Sequence, residues 1–270
     1  MTDRYVVIGN PVAHSQSPRI HAEFARATGQ ALEYGTLLAP LDALVATVEA
    51  FRLGGGRGAN VTLPFKETAY RLAQNVSARA RRAGAANTLR FDPDAVFADN
   101  TDGVGLVNDL TANVGAAVAG RRVLLAGAGG AARGVLPALI DAAPAYLVLA
   151  NRTADRARTL AREHGGRLAA ADFGDLAGER FDIVVNATSA SLSGTAPALP
   201  ESVFVDAVAY DMVYGRGETP FLAAARRAGA ARCIDGLGML VEQAAESFLV
   251  WRGVRPATAP VLAMLRAEIG

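Results

Sequence analysis

The sequence predicts an α/β protein with parallel strands, organised as two domains, and three observations carry that expectation. Apolar strand-like runs alternate with amphipathic helical runs from end to end. A fresh strand–turn–helix series begins in mid-chain at Arg122, as if a second sheet were starting. The 270 residues suffice for one large domain or two ordinary ones, and 51% hydrophobic with 20% charged residues is the balance of a well-packed chain.

Taken in order, residues 5–9 read as a short buried strand. Ser17-Pro18 then supplies a helix cap and a proline at the first helical position. Ile20, Phe24 and Ala27 recur at helical spacing, and Gly29 closes that helix. Residues 32–38 form the second expected strand and 41–53 the second helix, stopped by Gly54-Gly-Gly56. Residues 59–63 are a third strand ending at Pro64, 67–82 a helix-rich stretch, and 87–99 a hairpin turning at Asp92-Pro-Asp94. The second series opens with a strand at 122–126, and further strands are expected near 146–150, 167–170, 183–186, 203–207 and 231–234. After Asp235-Gly236 the chain turns helical, with Leu240, Ala244, Ser247, Phe248 and Trp251 on one face, and a last helix runs from about Ala259. No internal repeat or low-complexity linker separates the halves, which predicts direct contact with a cleft between them.

Composition excludes several classes. A net charge of +1 does not suit a nucleic-acid binder, which clusters Lys and Arg for phosphates. The densest basic run, Arg79-Ala-Arg81-Arg82, reads as a solvated helix face. One cysteine, Cys233, allows no internal disulfide and fits a reducing compartment, with the thiol as a small buried strand residue. No apolar run approaches the roughly 18 residues of a membrane span. Met1-Thr-Asp-Arg-Tyr5 leads straight into a strand without a secretory signal, so the expected location is cytoplasmic. Three dispersed histidines and one cysteine do not make a zinc cluster, and no metal is expected. The expected partner is a small-molecule substrate, with the chain acting as a monomer or homodimer.

Gly127-Ala128-Gly129-Gly130-Ala131-Ala132 follows an apolar strand and opens a helix, which is the context a Rossmann-type dinucleotide turn requires. The first glycine makes the tight turn, the second admits the pyrophosphate to the backbone, and a small third residue lets helix and strand pack. An NAD-selective site places Asp or Glu after the second strand. Here Asn151-Arg152-Thr153 stands there with Arg156 one turn on, and a guanidinium offers paired donors to a 2′-phosphate. Arg152 near a helix N-terminus is disfavoured by the macrodipole unless an anion binds, so NADP is the expected cofactor. Thr188 and Ser189, in Asn186-Ala-Thr-Ser189, fit either a cofactor contact or a plain polar turn.

In the first half, Ser15 and Ser17 place two hydroxyls at one helix entrance, where free N–H groups favour a small carboxylate. Ser17 also reads as a cap, which leaves Ser15 unexplained by capping. Thr62, Lys66, Asn87 and Asp102 are polar groups at strand ends or just beyond. With no metal or flavin motif, a carbonyl needs a proton donor, and a partly desolvated Lys66 beside the Asp102 carboxylate supplies one. A surface salt bridge between the two is the alternative. His14, His21 and His164 are weaker candidates, since His21 and His164 fall in ordinary helix patterns.

The runs Gly9-Asn-Pro-Val-Ala-His-Ser-Gln-Ser-Pro18, Gly58-Ala-Asn-Val-Thr-Leu-Pro-Phe-Lys66, Gly84-Ala-Ala-Asn-Thr88, Asp99-Asn-Thr-Asp-Gly103, Gly127-Ala-Gly-Gly130, Asn151-Arg-Thr153, Asn186-Ala-Thr-Ser189, Tyr210-Asp-Met-Val-Tyr214 and Asp235-Gly-Leu-Gly-Met239 together resemble the shikimate dehydrogenase family. The resemblance is collinear over nearly the whole chain. It implies reduction of 3-dehydroshikimate to shikimate by NADPH, in aromatic amino-acid biosynthesis. It implies substrate contacts at Ser15, Ser17, Thr62, Lys66, Asn87, Asp102, Tyr214 and Gln243, with the serines on the carboxylate and Lys66–Asp102 as the catalytic pair. Met212 and Gly236 would lie against the nicotinamide, with Met239 in the same group. The C-terminal helices would return to the first domain, giving a discontinuous substrate domain, 1–102 plus 238–270, and an NADP-binding domain, 103–237. Two rivals are a quinate or dual quinate/shikimate dehydrogenase and a non-catalytic NADP(H) sensor. Retention of both Lys66 and Asp102 speaks against the sensor.

Overall fold

The computed structural model describes residues 2–165 and 168–269. The chain divides into two compact units, Met1–Gly105 with Val241–Met264, and Leu106–Leu240 with Leu265–Gly270. Residues 265–270 group with the second unit, where Leu265 is buried and Arg266 pairs with Asp235.

The first unit carries β1 (Asp3–Gly9), α1 (Ser17–Thr28), β2 (Leu32–Leu38), α2 (Leu44–Leu53), β3 (Gly56–Val61), α3 (Lys66–Leu72), β4 (Asn75–Val76), α4 (Ala78–Ala83), β5 (Thr88–Phe91) and β6 (Val96–Asp99). Its sheet order is β2-β1-β3-β5-β6-β4. The first three strands run parallel, and the expected hairpin adds β5 and β6 antiparallel. Tyr5, Val6, Val7 and Ile8 are all buried, as a central strand covered on both faces requires. One face packs Val6, Ile8, Leu44, Val48, Val61, Phe65 and Leu89 into a core. On β3, a side chain at Gly58 would strike Trp251 and the Leu89 carbonyl at 2.6 Å. The Trp251 indole donates to that same carbonyl at 2.9 Å.

The stretch 67–82 is not one helix. The two-residue edge strand β4 pairs with β6 and splits it, and Ser77 caps α4 by accepting the Ala80 N–H at 3.1 Å. Arg79 is not solvated as expected: it grips Asp99 through two bonds of 2.7 Å and reaches Glu246 at 3.3 Å.

The second unit opens on α5 (Asp102–Asn108), whose first residues still belong to the first unit, and continues through β7 (Arg122–Ala126), α6 (Gly130–Asp141), β8 (Tyr146–Ala150), α7 (Ala154–Glu163), β9 (Ala169–Ala171), β10 (Ile183–Asn186), β11 (Val208–Asp211), α8 (Pro220–Arg227) and β12 (Arg232–Ile234). All six strands are parallel in the order β12-β11-β10-β7-β8-β9, so the order reverses between β7 and β10. Ligands of such sheets bind outside the carboxyl ends of the strands at that reversal. The strand expected at 203–207 is displaced: Glu201–Phe204 is a 3₁₀ turn that buries Val203 and Phe204, and β11 starts at Val208. Of the strand expected at 167–170, Arg167 lies outside the described residues. Helices α9 (Leu237–Arg252) and α10 (Ala259–Ile269) end the fold, with Ala244, Ser247 and Phe248 fully buried.

His21 is fully buried, stacked on Tyr34 at 4.3 Å and edge-on to Phe24, and neither ring nitrogen has a hydrogen-bond partner. Burial lowers its pKa from 6.5 to about 3, with the nearby Asn60 amide acting in the opposite direction from beyond hydrogen-bond geometry. The folded state therefore keeps His21 neutral while the unfolded chain takes up a proton below its own pKa. That stability is complete above the unfolded value and is lost as pH falls toward the folded one. His21→Phe keeps the stacking and removes the titration. Urea melts at pH 7.5 and 5.0 should show wild type losing about 2 kcal/mol more than the variant on acidification. Equal losses would mean His21 is not held neutral.

Candidate active site

The polar residues of the first unit gather at one edge of its sheet because the strand ends do. Lys66 opens α3 after β3, Asn87 precedes β5, and Asp102 follows β6 and opens α5. Lys66 Nζ donates to Asp102 Oδ2 at 2.6 Å, and the two side chains are only 14% and 6% exposed. The ion pair is therefore sheltered and largely desolvated rather than exposed at the surface. The other Asp102 oxygen accepts from Asn87 Nδ2 at 2.8 Å. Asn87 Nδ2 also reaches Gln243 Oε1 at 3.1 Å and Thr101 Oγ1 at 2.9 Å. A side chain at Gly105 would meet the Gln243 backbone at 2.8 Å, so this glycine admits Gln243 to the group.

Thr62 lies against the end of β1, where its methyl would collide with any side chain at Gly9. At the α1 entrance the cap residue is Gln16, not Ser17, and no side chain caps there. Instead the Ser17 N–H donates to Ser15 Oγ at 3.2 Å, which gives Ser15 a defined orientation beside the buried Ser17. Tyr214 belongs to the second unit, in the segment after β11.

In the second unit Gly127 has φ +117°, and a Cβ there would meet the Ala187 carbonyl carbon and oxygen at 3.0 Å. Gly129 and Gly130 are different: a Cβ on either meets no atom within 4 Å. The protein's own packing does not require glycine at those two positions. They leave bare backbone at the start of α6, whose first turn has no acidic side chain and no side-chain cap. Ala132 is buried in the core, while Ala128 and Ala131 pack partly buried against it. That cradle suits a pyrophosphate. After β8, Asn151 Nδ2 holds the Thr153 carbonyl at 3.0 Å. Arg152 and Arg156 are exposed and form no ion pair among the described residues, although Asp155 nearby pairs with Arg158 at 3.0 Å. Two unneutralised guanidiniums beside a dinucleotide turn fit a 2′-phosphate.

Thr188 donates its hydroxyl to Asn186 Oδ1 at 2.7 Å, as a polar turn would, and Ser189 stands at the N-cap position of the 3₁₀ turn Ala190–Ser193 without a side-chain capping bond. Gly236 has the Met212 carbonyl where its side chain would be. Met239 is 6% exposed within the core of the unit. Sequence reasoning missed Asp211, at the end of β11. It is fully buried and accepts from Asn186 Nδ2 (3.0 Å), Ser191 Oγ (2.7 Å), Thr219 Oγ1 (2.6 Å) and the Val213 N–H (3.1 Å). Burial pushes its carboxyl up while these donors pull it down. Thr101 was also missed, although it lies inside the Asp99–Gly103 run. Among the described residues no acidic, histidine and cysteine cluster could hold a metal ion, and no helix is long and apolar enough to cross a membrane.

Three family models match the chain: the shikimate dehydrogenase substrate binding domain over residues 7–89, shikimate/quinate 5-dehydrogenase over 109–196, and the shikimate 5′-dehydrogenase C-terminal domain over 236–266. Shikimate dehydrogenase (NADP(+)) of Dechloromonas aromatica is 58% identical over 272 residues, covering 100% of this chain and 99% of that relative. The crystal structure of an Ael1 enzyme from Pseudomonas putida is 50% identical with a TM-score of 0.92, covering 98% of both chains. Shikimate 5-dehydrogenase from Thermus thermophilus, solved in complex with NADP(H) and shikimate, is 35% identical with a TM-score of 0.87, covering 98% of this chain and 99% of that one.

The open cradle gives a direct test. Gly129 has φ −92° and ψ −170°, which valine adopts readily, and no neighbour blocks its Cβ. Gly129→Val should melt within a degree or two of wild type. Its affinity for a dinucleotide, measured by fluorescence titration, should fall at least about tenfold, the loss of well over 1 kcal/mol expected when phosphate contacts are blocked. Unchanged affinity would separate the glycine turn from phosphate binding.

Proposed function

The chain belongs to the shikimate dehydrogenase family, and from that membership we propose how its residues divide the work of an NADP-dependent oxidoreductase that reduces 3-dehydroshikimate to shikimate. Reducing a ketone requires hydride at carbon and a proton at oxygen. NADPH supplies the hydride when bound. Lys66 supplies the proton, and the observation that carries this reading is its sheltered 2.6 Å bond to Asp102. In so dry a setting the carboxylate fixes the ammonium's position and accepts from the substrate hydroxyl that forms. Ser15 and Ser17 receive the substrate carboxylate, and Thr62, Asn87, Gln243 and Tyr214 hold the ring hydroxyls. Residues 127–131 take the pyrophosphate. Asn151, Arg152, Thr153 and Arg156 read the 2′-phosphate. Thr188, Ser189, Met212 and Gly236 frame the nicotinamide, and Met239 packs in the same core cluster as Met212. We further propose a cytoplasmic monomer or homodimer, with residues 1–102 and 238–270 as the substrate domain and 103–237 as the NADP domain.

Steady-state rates with shikimate and quinate, each with NADP and NAD, test the reading as a whole. The expected order puts shikimate with NADP first, and a quinate preference would overturn it. Lys66→Ala should lower kcat about 10²–10⁴-fold with a much smaller change in shikimate KM. Asp102→Asn should also slow turnover, and the double variant should lose less than the product of the single losses. A folded Lys66→Ala with undiminished kcat would remove the lysine from the mechanism. Arg152→Asp should repel the 2′-phosphate and offer a partner to a 2′-hydroxyl, so the NADP-to-NAD ratio of kcat/KM should collapse or invert. A ratio that does not move would assign the phosphate to other residues.

A further inference from the structure

Behind Asn87 lies a closed set of buried hydroxyls and amides that no motif assigned. Thr88 and Ser247 are fully buried, and their hydroxyl oxygens stand 2.8 Å apart. Thr88 Oγ1 donates to Asn87 Oδ1 at 2.9 Å. Asn60 Nδ2, which can only donate, points at Ser247 Oγ (3.0 Å), the Asn87 carbonyl (3.1 Å) and, at 3.3 Å, Thr88 Oγ1. Tyr34 in turn donates to Asn60 Oδ1 at 2.6 Å. Ser247 Oγ faces both Thr88 Oγ1 and the Gln243 carbonyl (3.0 Å), and with its proton given to Thr88 the Thr88 proton is directed to Asn87.

That direction decides which way the Asn87 amide faces. Its Oδ1 meets the Thr88 hydroxyl and the Thr101 N–H, the latter at 2.9 Å. Its Nδ2 is thereby turned toward Asp102, Thr101 Oγ1 and Gln243. Flipped, the amide would set its oxygen against the Asp102 carboxylate and its N–H₂ against the Thr101 N–H, and it would take from the Thr88 proton the acceptor it meets at 2.9 Å. A buried network of this kind fixes one arrangement only when every member is satisfied. We infer that Thr88 is a positioning residue for the Lys66–Asp102 chemistry: its buried hydroxyl proton locks Asn87 in the orientation that donates to Asp102. Thr88 touches neither reacting group itself. The inference rests on the proposed reaction.

The test uses the full-length protein and follows shikimate oxidation by NADP. Thr88→Val keeps the β-branched shape that a strand favours and deletes the hydroxyl. Its kcat should fall about tenfold, with KM for NADP unchanged and KM for shikimate raised less than threefold. Thr88→Ser restores the hydroxyl without the methyl and should return kcat to within about twofold of wild type. A merely structural role predicts the reverse: a lower Tm for both variants with kcat intact in the folded fraction. If the valine variant does not fold, Thr88→Cys, of similar size with a weak donor, should show the same selective loss of kcat. Wild-type kcat in the folded valine or cysteine variant, or a serine variant as slow as valine, overturns the inference. A wild-type protein that does not oxidise shikimate overturns the proposed reaction instead.

Discussion

Asp102 is a carboxylate that is almost entirely withdrawn from water, and leaving such a group without partners costs several kcal/mol. The edge of the first sheet is arranged around that constraint. Lys66 answers one oxygen and Asn87 the other. Asn87 can do so only because its own oxygen is met by Thr88 and Thr101, and those groups are met in turn by Asn60 and Ser247. Gly105 is bare because Gln243 must come close enough to join the same set. Satisfying one buried charge thus specifies residues from β3, β5, the start of α5 and α9.

The second unit follows the opposite logic. Its glycine turn leaves backbone uncovered, its α6 entrance carries no acidic residue, and Arg152 and Arg156 have no carboxylate partner among the described residues. Other guanidiniums of that unit are paired, among them Arg122 with Glu179, Arg133 with Glu163 and Arg158 with Asp155. Positive potential left unneutralised at one strand end is what a multiply charged phosphate ligand needs. In the first unit Asp99 and Asp102 are met by that unit's own cations, whereas Arg152 and Arg156 of the second stand exposed with no carboxylate partner among the described residues.

What could be read in the sequence follows from the range of the interactions. Strands 122–126, 146–150 and 183–186 are found at the expected residues because an apolar run between turn residues is a local signal. The glycine turn and the Lys66 and Asp102 runs were legible for the same reason. β4 was not, because two residues on a sheet edge carry no periodicity and depend on pairing with Val96–Asp99. Residues 203–207 were apolar for a reason other than a strand, since Val203 and Phe204 fill the core from a turn. Thr88 and Ser247 are 159 residues apart, and nothing local to either predicts that their hydroxyls meet. His21 looked like an ordinary helix residue, whereas the folded chain encloses it in aromatic rings.

Under the proposed reaction, Asp99 and Asp102 separate a structural carboxylate from a chemical one within a single turn. Both are buried and each faces a cation. Asp99 receives the planar fork of Arg79 together with Ser77 Oγ at 2.5 Å and the Asn100 N–H at 2.7 Å. Arg79 is further held in its charged form by Asp99 and Glu246, against the opposing effect of burial. A guanidinium does not surrender its proton under any condition the protein meets, so this pair can only brace the β6–α4 corner. Asp102 receives a primary ammonium instead, a point charge with three rotatable donors that can release one. Exchanging the two cations would leave the charge balance of the sheet edge intact while removing from Asp102 the only partner able to pass a proton. The proposed chemistry therefore depends less on having a buried ion pair here than on which cation each aspartate receives.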